Sequence, residues 1–256
     1  MKNNSYLKVM KDMFIVQMAW SFGVMGVMLV IGLVRLFLYF QENGQDNFYN
    51  SFFIVASFFV FIIGIIATQF LPHYVGNGVT RKDYFKGASL ALIGLAVTLP
   101  FIVWGISALT EFVVENLTSF SFREPNMDFF ADEDNIIGDI IQFLIITPFV
   151  DIESNWVLSI LSYSLKILVY YLAGWFISAA FYRFSVIAGL GVIAISIVLL
   201  TVENVLLRSV LNLHVPNRYA FLAELPEATS FALIVIIVLG LFYFIRLMTR
   251  RVSIKM

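Results

Sequence analysis

Six separated apolar runs, each about the length of a helix that crosses a bilayer, occupy residues 13–40, 52–71, 88–113, 157–182, 186–207 and 231–247. A hydrocarbon core of about 30 Å takes roughly 20 apolar residues to cross. Lipid offers a backbone N–H or C=O no partner, so each run has to satisfy its own hydrogen bonds as a helix. Composition agrees: 61% of the 256 residues are hydrophobic and 13% charged, where soluble domains run to about half apolar and a quarter charged. The fold expected is therefore all-α and integral to a membrane, with six transmembrane helices in a single domain, 1–256. No internal repeat is visible, and no soluble domain fits between the runs.

Charge orients the helices. With the N-terminus inside, Lys2, Lys8, Lys11, Arg81, Lys82, Lys86, Arg183, Arg246, Arg250, Arg251 and Lys255 all fall on the cytoplasmic side, and of the acids only Asp12 and Asp83 join them. The positive-inside rule then predicts N-in and C-in. The first run is too long for a signal-peptide core and lacks a small-residue cleavage site, so it reads as a retained span. Ahead of it, Tyr6, Leu7, Val9, Met10, Met13 and Phe14 form an apolar stripe against Lys8, Lys11 and Asp12. Two readings of residues 1–12 follow, a helix lying in the interface or a basic flank that orients the first span.

Two connections lie outside in this topology. Residues 114–156 carry Glu124, Asp128, Asp132, Glu133, Asp134, Asp139, Asp151 and Glu153 against Arg123, which suits a solvated cap or a cation-attracting vestibule. Within it, residues 136–150 are apolar but interrupted by Asp139, Gln142 and Pro148, and are expected as an outer-leaflet or cap helix between the third and fourth spans. The second connection, 208–229, mixes Pro216 and Pro226 with Leu211, Leu213, Phe221 and Leu222.

The inside loop at 72–87 is the most specific stretch. Pro72, Gly76 and Gly78 cut the second run into something short and turned. Thr80 followed by Asp83 resembles a capping box, so a new helix is expected near Arg81, with Arg81, Lys82 and Lys86 held at the membrane surface.

The string Gly78, Thr80, Arg81, Phe85 and Gly87, after the second span and opening the third, resembles the cytoplasmic loop of ABC type-2 transporter permeases. A weaker echo is Phe181-Tyr182-Arg183-Phe184, with Ser185 where the family often has Gly. The resemblance implies a coupling helix docking onto a separate ATPase subunit through Pro72, His73, Tyr74, Val75, Gly76, Asn77, Gly78, Val79, Thr80, Arg81 and Lys82. It also implies an N-terminal elbow helix, re-entrant external helices at 208–229, and a second permease copy or paralogue. ATP and Mg would sit on the partner subunit. The whole would export an amphipathic or hydrophobic substrate, a peptide, antimicrobial, drug or lipid-like molecule, from a bacterial cell membrane. A secondary transporter driven by ions, or a membrane sensor or scaffold, is the alternative.

Sets of catalytic residues are missing from the sequence. It contains no phosphate-binding loop, no zinc-binding His-Glu-x-x-His and no Gly-x-Ser-x-Gly elbow. Its two histidines, His73 and His214, fall on opposite sides of the expected membrane, and without cysteine there is no thiol nucleophile or thiolate metal site. The expectation is a permease that is not itself an enzyme, binds no metal or cofactor and no nucleic acid, and meets membrane lipid on its flanks.

Ionisable residues inside the runs are Arg35, Lys166 and Glu203, with Glu111 and Glu115 at the outer end of the third. Each costs about 2.5–3.5 kcal/mol at a span centre unless it finds a partner or a cavity. Lys166 and Glu203 line a path, or one of Lys166 and Arg35 neutralises Glu203, or each simply snorkels towards the outer surface. Pro100 is expected to kink the third span. Gly174, Ser178, Ala179, Ala180, Gly189 and Gly191 are expected to draw the fourth and fifth together.

The absence of native cysteine makes sidedness directly testable. A membrane-impermeant maleimide applied to intact cells should label Asp134→Cys and leave Asn77→Cys unlabelled until the cells are opened; the reverse pattern overturns the N-in topology.

Overall fold

The computed structural model describes residues 5–38, 47–117, 155–213 and 215–250, together with Phe122, Leu144, Val150 and Ile152. These residues form helices and connecting turns with no strand. The helices are α1 (Ser5–Leu38), α2 (Phe48–Ala67), α3 (Phe70–Gly76), α4 (Arg81–Leu117), α5 (Trp156–Arg183), α6 (Val186–Val210), α7 (Ala220–Ala223) and α8 (Glu227–Arg250). Taking α2 and α3 together, six stretches are long and apolar enough to cross a membrane. They correspond one for one to the six runs.

Side-chain caps explain where several helices begin. Asn47 accepts from the Asn50 N–H at 2.9 Å ahead of α2, and Asn155 accepts from the Leu158 N–H at 3.1 Å ahead of α5. Each satisfies an N–H that has no partner inside the helix. Residues 5–12 are the first turns of α1, continuous with the first span. Likewise α4 passes through Pro100 as one helix.

The centre of the bundle is α5, in which every residue from Val169 to Ala180 is buried. Its closest neighbour is α2. A Cβ on Gly64 would strike the Tyr171 carbonyl, and one on Gly174 would strike the Phe61 carbonyl, so each helix presses a glycine against the other's backbone. Gly174 was expected to bring the fourth and fifth spans together; its partner is instead the second. Gly189 does serve the expected pair, lying against the Phe181 ring where α6 turns back on α5, while Gly191 faces open space.

Polar staples reinforce this centre. Gln17 on α1 donates to the Tyr171 hydroxyl at 2.6 Å, Tyr49 on α2 shares a 2.9 Å hydrogen bond with Ser159 on α5, and the Tyr49 N–H donates to Ser107 on α4 at 3.1 Å. In lipid there is no water to replace such bonds. Around them, large apolar side chains such as Phe22, Ile187, Phe231 and Leu239 stand exposed on the outside, as a lipid-facing surface requires. Trp104 and Trp156 stack at 6.1 Å between one end of α5 and α4.

Between α6 and α8, where re-entrant helices were expected, the chain forms a 3-10 turn (Asn217–Tyr219) and the one-turn α7. Ser209 donates to the Ala223 carbonyl at 3.1 Å and ties α7 to the end of α6. The acidic residues expected between the third and fourth spans, Glu124 to Glu153, lie outside the described residues, as does His214.

Replacing Gly174 by Ala should lower the unfolding free energy by about 1–3 kcal/mol, the usual effect of overpacking a tight contact. Gly191→Ala should leave it within about 0.5 kcal/mol. Thermal unfolding of both variants in detergent is the check, and equal midpoints would refute the assigned α2–α5 contact.

Candidate functional site

The short helix α3 ends in a Schellman motif. The Val79 N–H bonds the Tyr74 carbonyl and the Gly78 N–H the Val75 carbonyl, both at 3.0 Å, and Gly78 takes φ +84°. Only glycine adopts that conformation readily, so its place in this turn follows from the backbone. Thr80 then caps α4, accepting from the Asp83 N–H at 3.1 Å and donating to the Asp83 carboxylate at 2.8 Å. The result is a helix–turn–helix corner with both ends closed by local bonds. His73, Gly76, Asn77, Gly78, Thr80 and Lys82 are exposed on it, and Pro72, Tyr74, Val75, Val79 and Arg81 are half-buried.

Rings fasten this corner to the core. Tyr74 lies 5.9 Å from Tyr84, which is wholly buried and donates its hydroxyl to the Ala67 carbonyl. Tyr84 meets Trp175 edge-on at 6.5 Å, Phe85 meets it at 5.6 Å, and Trp175 meets Tyr171 at 6.2 Å. From Tyr171 the line continues to Gln17 of α1. An aromatic path thus runs from the exposed turn to the middle of α5.

Basic residues gather at the same end. Arg246 of α8 donates to the Arg81 carbonyl at 3.1 Å and stacks over Phe85 at 5.3 Å, while Arg183 of α5 donates to the Leu247 carbonyl. Lys86 sits 4.6 Å above the Tyr6 ring, and Gly87 touches Tyr6 and Val9 so closely that a Cβ would clash at 2.7 Å. The first turns of α1 are therefore docked on the first turns of α4. A groove of about 470 Å³ lined by Arg183, Phe184, Phe244, Leu247, Met248 and Arg250 opens beside this cluster.

A second polar centre lies between α5 and α6. Lys166, Glu203, Asn204 and Arg208 are all buried. Lys166 feels the charges of both Glu203 and Arg208, its ammonium lies 4.3 Å over the Tyr170 ring, and Arg208 donates to the Asn204 side chain at 3.2 Å. Among the described residues, the Lys166 ammonium and both Glu203 oxygens have no hydrogen-bond partner. Of the pairings left open by sequence, the structure brings Lys166 to Glu203. Arg35 is exposed at the far end of α1, and Glu111 accepts from Ser107 at 2.8 Å.

The Tyr170 hydroxyl, about 21 Å of helix rise from Trp156 less the length of its side chain, donates to the Leu144 carbonyl at 3.0 Å. Leu144 thus packs along the flank of α5, and does not lie over its end.

Sequence reasoning missed Arg208, Asn204, Gln17 and the ring contacts that join Tyr84 to Trp175 and Tyr171. Arg208 was placed in the outer connection, although α6 continues to Val210. The spacing of Asn204 and Arg208, four apart on one helical face, was the available signal. Gln17 had one too, as a lone amide in an apolar run. The rings had none, because 27 Phe, 11 Tyr and 4 Trp give no way to single out three.

No protein-family model, curated protein or solved structure matches the chain.

Lys166 and Glu203 oppose each other's charge inside the bundle, so removing one leaves the other buried without it. Glu203→Gln and Lys166→Met should each cost about 3–5 kcal/mol, and the double variant less than the sum of the two. Unfolding of the three variants in detergent measures the coupling, and strictly additive costs would refute the Lys166–Glu203 pairing.

Proposed function

We propose that this chain is the permease subunit of a bacterial ABC type-2 exporter, paired with a second permease and with ATPase subunits that dock on its basic end. What supports this reading above all is the exposed corner from Pro72 to Lys82, closed by a Schellman motif and a Thr80 cap and joined by stacked rings to the central helix. It coincides with the string that resembles the coupling loop of that family.

The mechanism follows from rigidity. A corner whose turn and cap are both satisfied moves as a unit, and the first turns of α1 are packed against the start of α4. Closure of ATPase subunits beneath it would push α3 and α4 together, and the Tyr84–Trp175 contact would pass that displacement to α5. Arg246, bonded to the Arg81 carbonyl, would carry α8 along. An amphipathic or hydrophobic substrate would move through a cleft between two permease copies in the bacterial cell membrane, and ATP and Mg would stay on the partner.

A second reading, an ion-driven secondary transporter, is favoured by the buried Lys166–Glu203 pair, whose ammonium and carboxylate oxygens have no hydrogen-bond partner among the described residues. The two readings differ in whether an ATPase is needed.

Purification of tagged protein in mild detergent, with a known permease–ATPase complex as positive control, should recover an ATPase with the wild type and none above background with Arg81→Glu/Lys82→Glu. Clean isolation of the wild type alone, while the control survives, would overturn the permease reading and favour the second.

A further inference from the structure

The end of α5 and the last turns of α8 line the groove of about 470 Å³ at the basic end. Phe184, Phe244, Leu247 and Met248 supply its apolar lining, and Arg183 and Arg250 its charge. Phe244 packs on Phe176 of α5 with ring centroids 6.2 Å apart, and so joins the two helices about two turns nearer the middle of the bundle. Arg183, the last residue of α5, donates to the Leu247 carbonyl and stacks 5.2 Å over the Phe184 ring. That bond uses one of the five guanidinium donors and holds the planar fork in place before any ligand arrives. Arg250 stands three residues beyond Leu247, on the same face of α8 and one turn further out, and is exposed.

The acids of the chain lie away from this groove. No Asp or Glu is among its lining residues. Residues 251–256, which follow Arg250, bring Arg251 and Lys255 and no acid, and residues 1–4 bring Lys2 and no acid. Asp12 and Asp83 belong to the first turns of α1 and α4; Asp83 accepts from the Thr80 hydroxyl, and Asp12 acts electrostatically on Tyr74. Every other Asp and Glu falls in the far half of α4, α6 or α8, or in the connections 39–47, 118–155 and 211–226 between the far ends of helices. Leu144 of the long acidic connection is bonded to Tyr170, about 20 Å of helix rise short of Arg183.

An occupant has to match both the charge and the apolar surface. Phe184 and Phe244 are 46% and 51% exposed, and Val186 and Ile187, just after Phe184, are 67% and 83% exposed. A free inorganic anion would use the arginines and leave these side chains bare, whereas an amphiphile with an anionic head covers both. A zwitterionic head brings its own cation to two guanidiniums. We propose that this groove holds the headgroup of an anionic phospholipid, its phosphate between Arg183 and Arg250 and its acyl chains running over Phe184 and Phe244 into the bilayer. The proposal rests on the membrane-spanning helices and not on an ATPase partner, and no residue of the corner from Pro72 to Lys82 takes part in it.

The test is native mass spectrometry of the full chain released from detergent micelles containing equimolar phosphatidylglycerol and phosphatidylcholine. Wild type should retain phosphatidylglycerol in preference to phosphatidylcholine. Arg250→Gln leaves the bond from Arg183 to Leu247 in place and should reduce that preference about five-fold, the weight of one basic side chain at an anionic surface; Arg250→Lys should keep most of it. Lys8→Gln/Lys11→Gln removes two exposed cations of the same end that do not line the groove, and should leave the preference unchanged. Soluble glycerol phosphate at the concentration of the lipid should displace none of it. Arg250 is exposed, so its replacement leaves the packing intact, and a thermal midpoint equal to wild type verifies this. An unchanged preference in Arg250→Gln, or an equal loss in the Lys8/Lys11 variant, overturns the proposal. Displacement by glycerol phosphate also overturns it and makes the groove a site for a soluble anion. Equal retention of the two lipids by wild type overturns it as well, and leaves the arginines to an acidic protein surface.

Discussion

Backbone against backbone, α2 and α5 meet through Gly64 and Gly174, each glycine pressed to the other helix's carbonyl. Between membrane helices there is no hydrophobic driving force, because lipid is as apolar as leucine, so association depends on close packing and on interhelical hydrogen bonds. This contact supplies the first and brings Tyr49 to Ser159, which supplies the second. Tyr163 then wedges between Tyr49 and Phe53, with ring centroids at 5.4 and 4.7 Å. With α2 fixed on α5, the Ala67 carbonyl is placed to receive the Tyr84 hydroxyl, and α4 is positioned in turn. The exposed corner at Gly78 thus inherits its orientation from a contact in the middle of the bundle.

Burial of charge imposes the second constraint. In a soluble protein the Lys166–Glu203–Arg208 set would draw in water; inside an apolar bundle the charges have chiefly one another. The set joins α5 to α6, and the Tyr170 ring under the Lys166 ammonium also holds Leu144 through its hydroxyl. One tyrosine therefore serves as cation partner and as donor to a carbonyl 26 residues away in sequence. Removal of charge here acts on more than one helix, because Lys166 belongs to α5 and Glu203 to α6.

Much of the architecture was legible because lipid leaves little choice. Each of the six apolar runs became a helix, and the Thr80–Asp83 pair formed its cap, since both depend on local sequence. What was not legible is pairwise. Gly174 announces close packing, yet whether the partner is the second span or the fifth depends on which helix offers a carbonyl there, and the sequence of α5 alone does not say. Likewise Glu203 had two basic candidates within reach by depth, and only the three-dimensional neighbours separate Lys166 from Arg35. Arg208 was lost because a basic residue at the edge of an apolar run reads as the start of a loop, whereas its bond to Asn204 keeps it within the helix.

The two ends of the α1–α4 pair differ in a way that bears on motion. Near the basic end, Gly87 and Gly94 admit Tyr6, Val9 and Phe14, and Lys86 covers the Tyr6 ring, so the helices are locked side by side. At the other end neither helix has a buried residue in its last described turns. A force applied at the corner before Arg81 would therefore move the packed halves of α1 and α4 as one body.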